Sequence, residues 1–228
     1  MIGGSNCPLE IVPIREYWSE ILKSGETVYA GLIFRVPPRL WRLLAQAQAS
    51  LRKVDNRQLF AHPSTFHVSV KGLGYLQNET DIARYETALA KIGKIISRFS
   101  SFQIELRGIG IFPTAIYAKV NDSGVFKKIN TLISEELKRE VEQSRYDRSE
   151  YVPHVTLLTF NTSEASELVA KAESQEMRDL RFGEAGVFEI ELVKVNLLLA
   201  LGPEETQDRA YTYLRSFQLG PFANRRIS

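Results

Sequence analysis

Two of the three histidines lie inside apolar runs, and a hydroxyl side chain follows each of them two residues later. The run FHVSV contains His67 and Ser69, and the run PHVTL contains His154 and Thr156. In a β-strand, side chains at positions i and i+2 point to the same face of the sheet. Each run therefore predicts an imidazole and a hydroxyl on one face of a strand and apolar side chains on the other.

These four residues fit one kind of chemistry if the two strands face the same cleft. Two imidazoles can serve as general base and general acid, because a pKa near 6.5 lets one be neutral and one protonated around neutral pH. Two hydroxyls can donate hydrogen bonds to phosphate oxygens as charge develops. The set predicts displacement at a phosphodiester. Its residues do not assign which histidine is the acid.

The alternative interpretation is that each histidine is a packing residue with a backbone partner. A single His-x-Ser in a strand favours that reading. Two copies in matching places favour function. The third histidine, His62, lies in the loop FAHPS and is followed by proline, so it is not part of such a strand motif. We expect it to be a loop residue near the rim of the cleft.

The order of predicted elements repeats along the chain. Each half has a strand, a helix, a histidine strand, a second helix and a third strand. The strands of the first half are YAGLIFRV, FHVSV and FQIELRGIG, and those of the second half are IYAKV, PHVTL and FEIELVKVN. This pattern predicts an α+β fold with an internal duplication. If the halves pack about a pseudo-two-fold axis, the two histidine strands lie side by side.

Other polar and aromatic residues near the motifs are candidates for supporting roles. Lys71 follows Ser69 by two residues, so we expect it on the face of His67, where its ammonium can approach a phosphate. Tyr75 and Tyr151 flank the motifs and are candidates for stacking on a base. Further cationic candidates lie on the strands between the motifs: Arg107 and Lys119.

The composition is that of an ordinary soluble globular protein, with 44% hydrophobic residues and a net charge of +2. That charge is too small to indicate nucleic acid by itself. The single cysteine, Cys7, excludes an internal disulfide, and we expect a cytoplasmic monomer without a membrane segment or an obligatory protein partner. The few histidines and the motifs without carboxylates predict no metal, and we expect no cofactor.

The motifs and the turn between them resemble the 2H phosphoesterase superfamily, most of all its LigT-like or 2′-5′ RNA ligase branch. The first motif of that family resembles FHVSVKGLGYL, and its second motif resembles VPHVTLLTF. The strand, turn and strand between the two motifs resemble LRGIGIFPTAIYAKV. The resemblance covers about residues 26–200. On this basis we expect a single bilobal domain at 26–202, preceded by an N-terminal extension at 1–25 and followed by a C-terminal extension at 203–228.

The resemblance implies two pseudo-symmetric lobes of antiparallel sheet backed by helices, with a central groove. It implies that His67 and His154 are the acid and base and that Ser69 and Thr156 bind the phosphate. The substrates it implies are RNA termini or small nucleotides with 2′,3′-cyclic or 2′-5′ linkages. Ligation, 3′-5′ exonuclease activity and RNA binding without catalysis stay open as alternatives. Many relatives carry an arginine soon after the second motif, and this chain has none there.

Overall fold

A curved antiparallel sheet of nine strands runs through the part of the chain that the computed structural model describes, residues 9–25, 27–75, 86–137 and 151–221. Most of its strands are rich in β-branched and aromatic residues, as the sequence pattern predicts. The strands are β1 Val28–Arg35, β2 Leu59–Phe60, β3 His67–Tyr75, β4 Phe102–Phe112, β5 Ala115–Asn121, β6 His154–Thr159, β7 Arg181–Val187, β8 Glu189–Asn196 and β9 Tyr211–Gln218.

Most helices pack on one face of this sheet, and the other face forms a groove. Their apolar stripes and the inward side chains of the strands form one core, which includes Leu44, Ile92, Phe126 and Leu168. The helices are α1 Ile14–Tyr17, α2 Ser19–Ser24, α3 Pro38–Arg52, α4 Glu86–Ile96, α5 Val125–Glu136, α6 Ser166–Ala172, α7 Gln175–Arg178, α8 Leu197–Ala200 and α9 Glu204–Gln207. No helix in these described ranges is long and apolar enough to cross a membrane.

The strand order confirms the duplicated, two-lobed α+β architecture. Along the sheet it is β7-β4-β5-β6-β3-β1-β8-β9, with β2 paired to β6. The two histidine strands, β3 and β6, therefore meet in the middle, and the order outward from them is the same in both lobes. The first repeat of the sequence supplies β1, β3 and β4, and the second supplies β5, β6 and β8. Since β4 pairs with β5 and β8 pairs with β1, each repeat gives its third strand to the opposite lobe.

The segments at both ends of the chain pack against this sheet. The backbone N–H of Ile14 in α1 donates to the carbonyl of Phe160, just after β6. Strand β9 pairs with β8 along its length and extends the sheet beyond residue 202. The open face near β8 and β9 carries a small apolar cluster of Ile33, Val193 and Val195. The sheet that builds the groove thus includes residues of the predicted C-terminal extension.

Candidate active site

The ring of His67 is fixed by the loop that leads into β3. A short 3₁₀ helix, Pro63–Thr65, precedes the strand, and the side chain of His62 caps it by accepting from the N–H of Ser64. The Nδ1 of His67 lies 2.7 Å from the carbonyl oxygen of Thr65. A carbonyl only accepts, so Nδ1 carries the proton and the neutral ring leaves its lone pair on Nε2. Ser69 Oγ donates to that Nε2 at 3.1 Å.

His154 repeats this arrangement in the other lobe. Its Nδ1 lies 2.7 Å from the carbonyl oxygen of Val152, again two residues earlier in the chain. By the same argument, Nδ1–H donates and Nε2 is the basic atom of the neutral ring. The two imidazoles therefore have the same tautomer and the same attachment to the backbone.

The four predicted polar residues lie on the open face where the two lobes meet. Val68 pairs with Val155, and both are fully buried in the core. Carried one residue further on each side, this antiparallel register sets His67 across from Thr156 and Ser69 across from His154. This register predicts a crossed arrangement of the two His-x-hydroxyl pairs.

Burial lowers the pKa of both imidazoles, and neighbouring charges add to the effect at His67. Burial is the main cause for His67, and repulsion from His154 and Arg35 adds to it, while the Thr65 carbonyl acts in the opposite direction; the result is a pKa of about 4. Burial also lowers the pKa of His154, against the opposing effect of its bond to Val152. In the free protein His67 is therefore neutral near pH 7 and is able to accept a proton.

The surroundings of the two histidines differ. The ring centroids of Phe112 and Tyr117 lie 4.9 and 5.2 Å from that of His154, and these two rings stack on each other at 4.2 Å. Gly110 makes this possible, because a Cβ at that position would overlap the Tyr117 ring. The side of the groove at His154 is thus an aromatic wall.

Beside His67 lies a small cavity with polar walls. Its volume is about 90 Å³, and Arg35, Ser64, Thr65 and Asp208 contribute polar groups to its lining. The ring centroid of Tyr211, from β9, lies 5.2 Å from that of His67. Burial raises the pKa of the Tyr211 phenol well above its usual value, so this phenol stays protonated.

The prediction that Lys71 shares the face of His67 and Ser69 is wrong. In the pairing of β3 with β1, the register shifts after Ser69, so that Lys71 lies opposite the core residue Leu32. The inserted residue, Val70, ends the simple alternation on which the prediction depended. Lys71 is 5% exposed. It is therefore not placed as a phosphate ligand.

The two tyrosines predicted to stack on a base occupy other positions. The Tyr151 hydroxyl donates to the carbonyl of Ser69 at 2.9 Å, so this side chain joins the strand entry of one lobe to the histidine strand of the other. Burial raises the pKa of Tyr151, and the charge of Asp122 adds to that effect. Tyr75 lies eight residues beyond His67, or roughly 25 Å along the strand, and its ring packs against Tyr29. Tyr151 therefore lies next to the histidine strands, whereas Tyr75 lies far along β3 from His67.

Sequence reasoning missed two residues next to His67. Arg35, the last residue of β1, lies directly opposite His67 in the strand pairing. Its guanidinium is bound to Glu191 at 2.9 Å. Tyr211 comes from β9, in the predicted C-terminal extension, and nothing in the sequence connects that strand to the histidine. Among the described residues, no group of three or more His, Cys, Asp or Glu side chains has the arrangement of a metal site.

Comparisons with known proteins identify the family of this chain. Residues 38–219 match the family model described as the AKAP7 2′5′ RNA ligase-like domain. A protein of Aeropyrum pernix named RNA 2′,3′-cyclic phosphodiesterase is 30% identical over 166 residues, which cover 70% of this chain and 89% of that protein. A protein of the same name from Methanothermobacter thermautotrophicus is 25% identical over 159 residues, 65% of this chain and 82% of that one.

Solved structures share the fold. TT0787 of Thermus thermophilus superposes with a TM-score of 0.62 at 21% identity and covers 85% of this chain and 99% of its own. LigT of E. coli, in complex with 3′-AMP, gives a TM-score of 0.59 at 15% identity, over 84% of this chain and 97% of its own. The chain belongs to the AKAP7 2′5′ RNA ligase-like family and is a phosphoesterase of the LigT-like branch of the 2H superfamily.

Proposed function

We propose that the protein is a metal-independent phosphodiesterase that opens 2′,3′-cyclic phosphates on RNA ends or nucleotides. The observation that carries this proposal is the matched attachment of the two histidines. Each donates a hydrogen bond from Nδ1 to a carbonyl two residues earlier and keeps Nε2 for chemistry, and at His67 the Ser69 hydroxyl lies 3.1 Å from that atom. The names of the two archaeal relatives support an RNA substrate with a cyclic phosphate.

The reaction needs one proton acceptor and one proton donor on opposite sides of phosphorus. The Nε2 of one histidine removes a proton from water as the water oxygen bonds to phosphorus. The bond from phosphorus to a ribose oxygen breaks, and Nε2–H of the other histidine protonates that oxygen. Ser69 and Thr156 donate hydrogen bonds to the non-bridging oxygens. The product is a phosphomonoester beside a free ribose hydroxyl.

We assign the base to His67 and the acid to His154. The low pKa of His67 keeps it neutral, and the polar cavity beside it is large enough to hold the attacking water. A phosphate anion bound between the rings raises the pKa of His154 and favours its protonated form. The ribose then lies on the side of the aromatic wall.

Hydrolysis of small 2′,3′-cyclic nucleotides in the presence of EDTA tests the proposal. We expect turnover by the wild type, loss of turnover in both His67→Ala and His154→Ala, and a bell-shaped dependence of kcat/KM on pH. Turnover that persists in either single variant would refute the mechanism.

The same residues serve the reverse reaction, so RNA ends should be assayed for both cleavage and joining. Because one chain supplies both histidine strands, we also propose that the monomer is the active form. Light scattering during size-exclusion chromatography measures this, and activity confined to a dimer peak would contradict it.

A further inference from the structure

A row of basic side chains continues from His154 across the neighbouring strands. Lys119 on β5 pairs directly with His154. On β4, a register shift leaves Arg107 in the stretch across from Lys119. Arg107 in turn pairs with Arg181 on β7. Each of the three strands outward from His154 thus contributes one basic residue; Lys119, Arg107 and Arg181 are called the basic row below.

The basic row lies on the open face of the sheet. All three of its side chains are exposed. A neighbour of each in the same strand is buried in the core, whereas the three basic side chains are exposed on the groove face; these neighbours are Ala118, Leu106 and Phe182. With adjacent strands about 4.8 Å apart, the row extends to roughly 5, 10 and 14 Å from His154.

Among the described residues, no carboxylate forms an ion pair with the basic row. Glu105 and Glu184 pair with each other on the same two outer strands, but neither forms an ion pair with a residue of the row among the described residues. Like charges placed directly opposite each other, as Arg107 and Arg181 are, weaken a sheet unless an anion compensates them. Within the described part of the chain, the three cations of the row therefore form no ion pair, and the two nearby carboxylates, Glu105 and Glu184, offset only part of their charge.

The other lobe lacks an equivalent line in the residues that the structure describes. The residue that corresponds to Lys119 there is Arg35, because each lies opposite the histidine of its lobe. Arg35 is bound to Glu191 through both Nε and Nη2, at 3.1 and 2.9 Å. The pseudo-symmetric groove is thus electrostatically asymmetric, with its excess of positive charge on the side of His154.

We propose that the basic row binds successive backbone phosphates of an RNA chain whose 3′ end reacts between the histidines. This inference rests on the proposed function, in which His154 protonates the ribose oxygen and the ribose therefore lies on its side of the groove. The rest of the chain, joined through the 5′ oxygen of that ribose, then leaves across β5, β4 and β7. The substrate is an RNA oligomer in preference to a mononucleotide.

Binding of a fluorescent single-stranded RNA hexamer with a 3′-phosphate, measured by anisotropy at several salt concentrations, tests the row. The test variant is Lys119→Gln/Arg107→Gln/Arg181→Gln. The control is Lys53→Gln/Arg98→Gln/Lys128→Gln, which removes the same charge from exposed positions on or next to helices. We expect the test variant to bind about ten-fold more weakly or worse and to lower the slope of log K against log salt by about 2, since each single-strand phosphate contact contributes about 0.7.

A second measurement separates this inference from the proposed function. The ratio of kcat/KM for a hexamer ending in a 2′,3′-cyclic phosphate to that for the mononucleotide should fall about ten-fold in the test variant and stay constant in the control. If the test variant and the control bind the hexamer equally well, the proposal that the basic row binds RNA is wrong, even if the wild type hydrolyses cyclic nucleotides. Binding that depends on the row in a protein without hydrolysis would support the row and refute the proposed function.

Discussion

The low pKa of His67 predicts a specific loss of stability in acid. In the unfolded chain the pKa of this side chain returns to 6.5, whereas in the folded protein it is about 4. Between these values the unfolded chain binds a proton that the folded protein does not, so the free energy of unfolding falls as the pH is lowered. At 1.36 kcal/mol per pH unit the full loss is roughly 3 kcal/mol, an upper bound because the half-buried ring keeps some contact with water.

The variant His67→Asn removes the titration and keeps a side-chain donor for the Thr65 carbonyl. We expect the unfolding free energies of wild type and variant, measured in urea at pH 7, 6, 5, 4 and 3, to converge as the pH falls from about 6.5 to 4. Below pH 4 their difference should stay constant. His154→Asn should show the same direction, because burial lowers that pKa as well. A difference between wild type and His67→Asn that is independent of pH would refute the reasoning.

Three further predictions concern the packing that positions the groove. Gln48→Leu leaves two buried carbonyls without their side-chain donor and should lower the free energy of unfolding by about 1–3 kcal/mol in a denaturant titration, whereas Gln46→Leu on the exposed side of α3 should change it little. Asp122→Ala removes the acceptor for two N–H groups at the start of α5 and should cost about 1–2 kcal/mol, with a smaller loss in Asp122→Asn. Gly110→Ala should displace the Tyr117 ring and lower both the melting temperature and the turnover of 2′,3′-cyclic nucleotides; because the overlap is with that ring, the double variant with Tyr117→Ala should be no less stable than Tyr117→Ala alone.

Local patterns were sufficient to predict the histidine strands, the order of elements and the duplication, because each depends on side-chain alternation or helical spacing. The position of Lys71 was not predicted, since the register shift after Ser69 breaks the alternation. Gly72 and Gly74 were the available signal, as glycine within a strand often marks a bulge. The contact between Tyr211 and His67 could not be predicted, because it depends on pairing between strands that are distant in the sequence.

The exchange of third strands between the two repeats gives the chain an unusual relation to its own halves. Neither half contains a complete lobe, since β4 of the first repeat lies in the second lobe and β8 of the second lies in the first. A protein built from one repeat would complete the same sheet only by associating with a second copy and trading strands with it. The present chain has the form of such a domain-swapped pair joined end to end. Because the two halves are covalently linked, each molecule contains one copy of both partners that the groove requires.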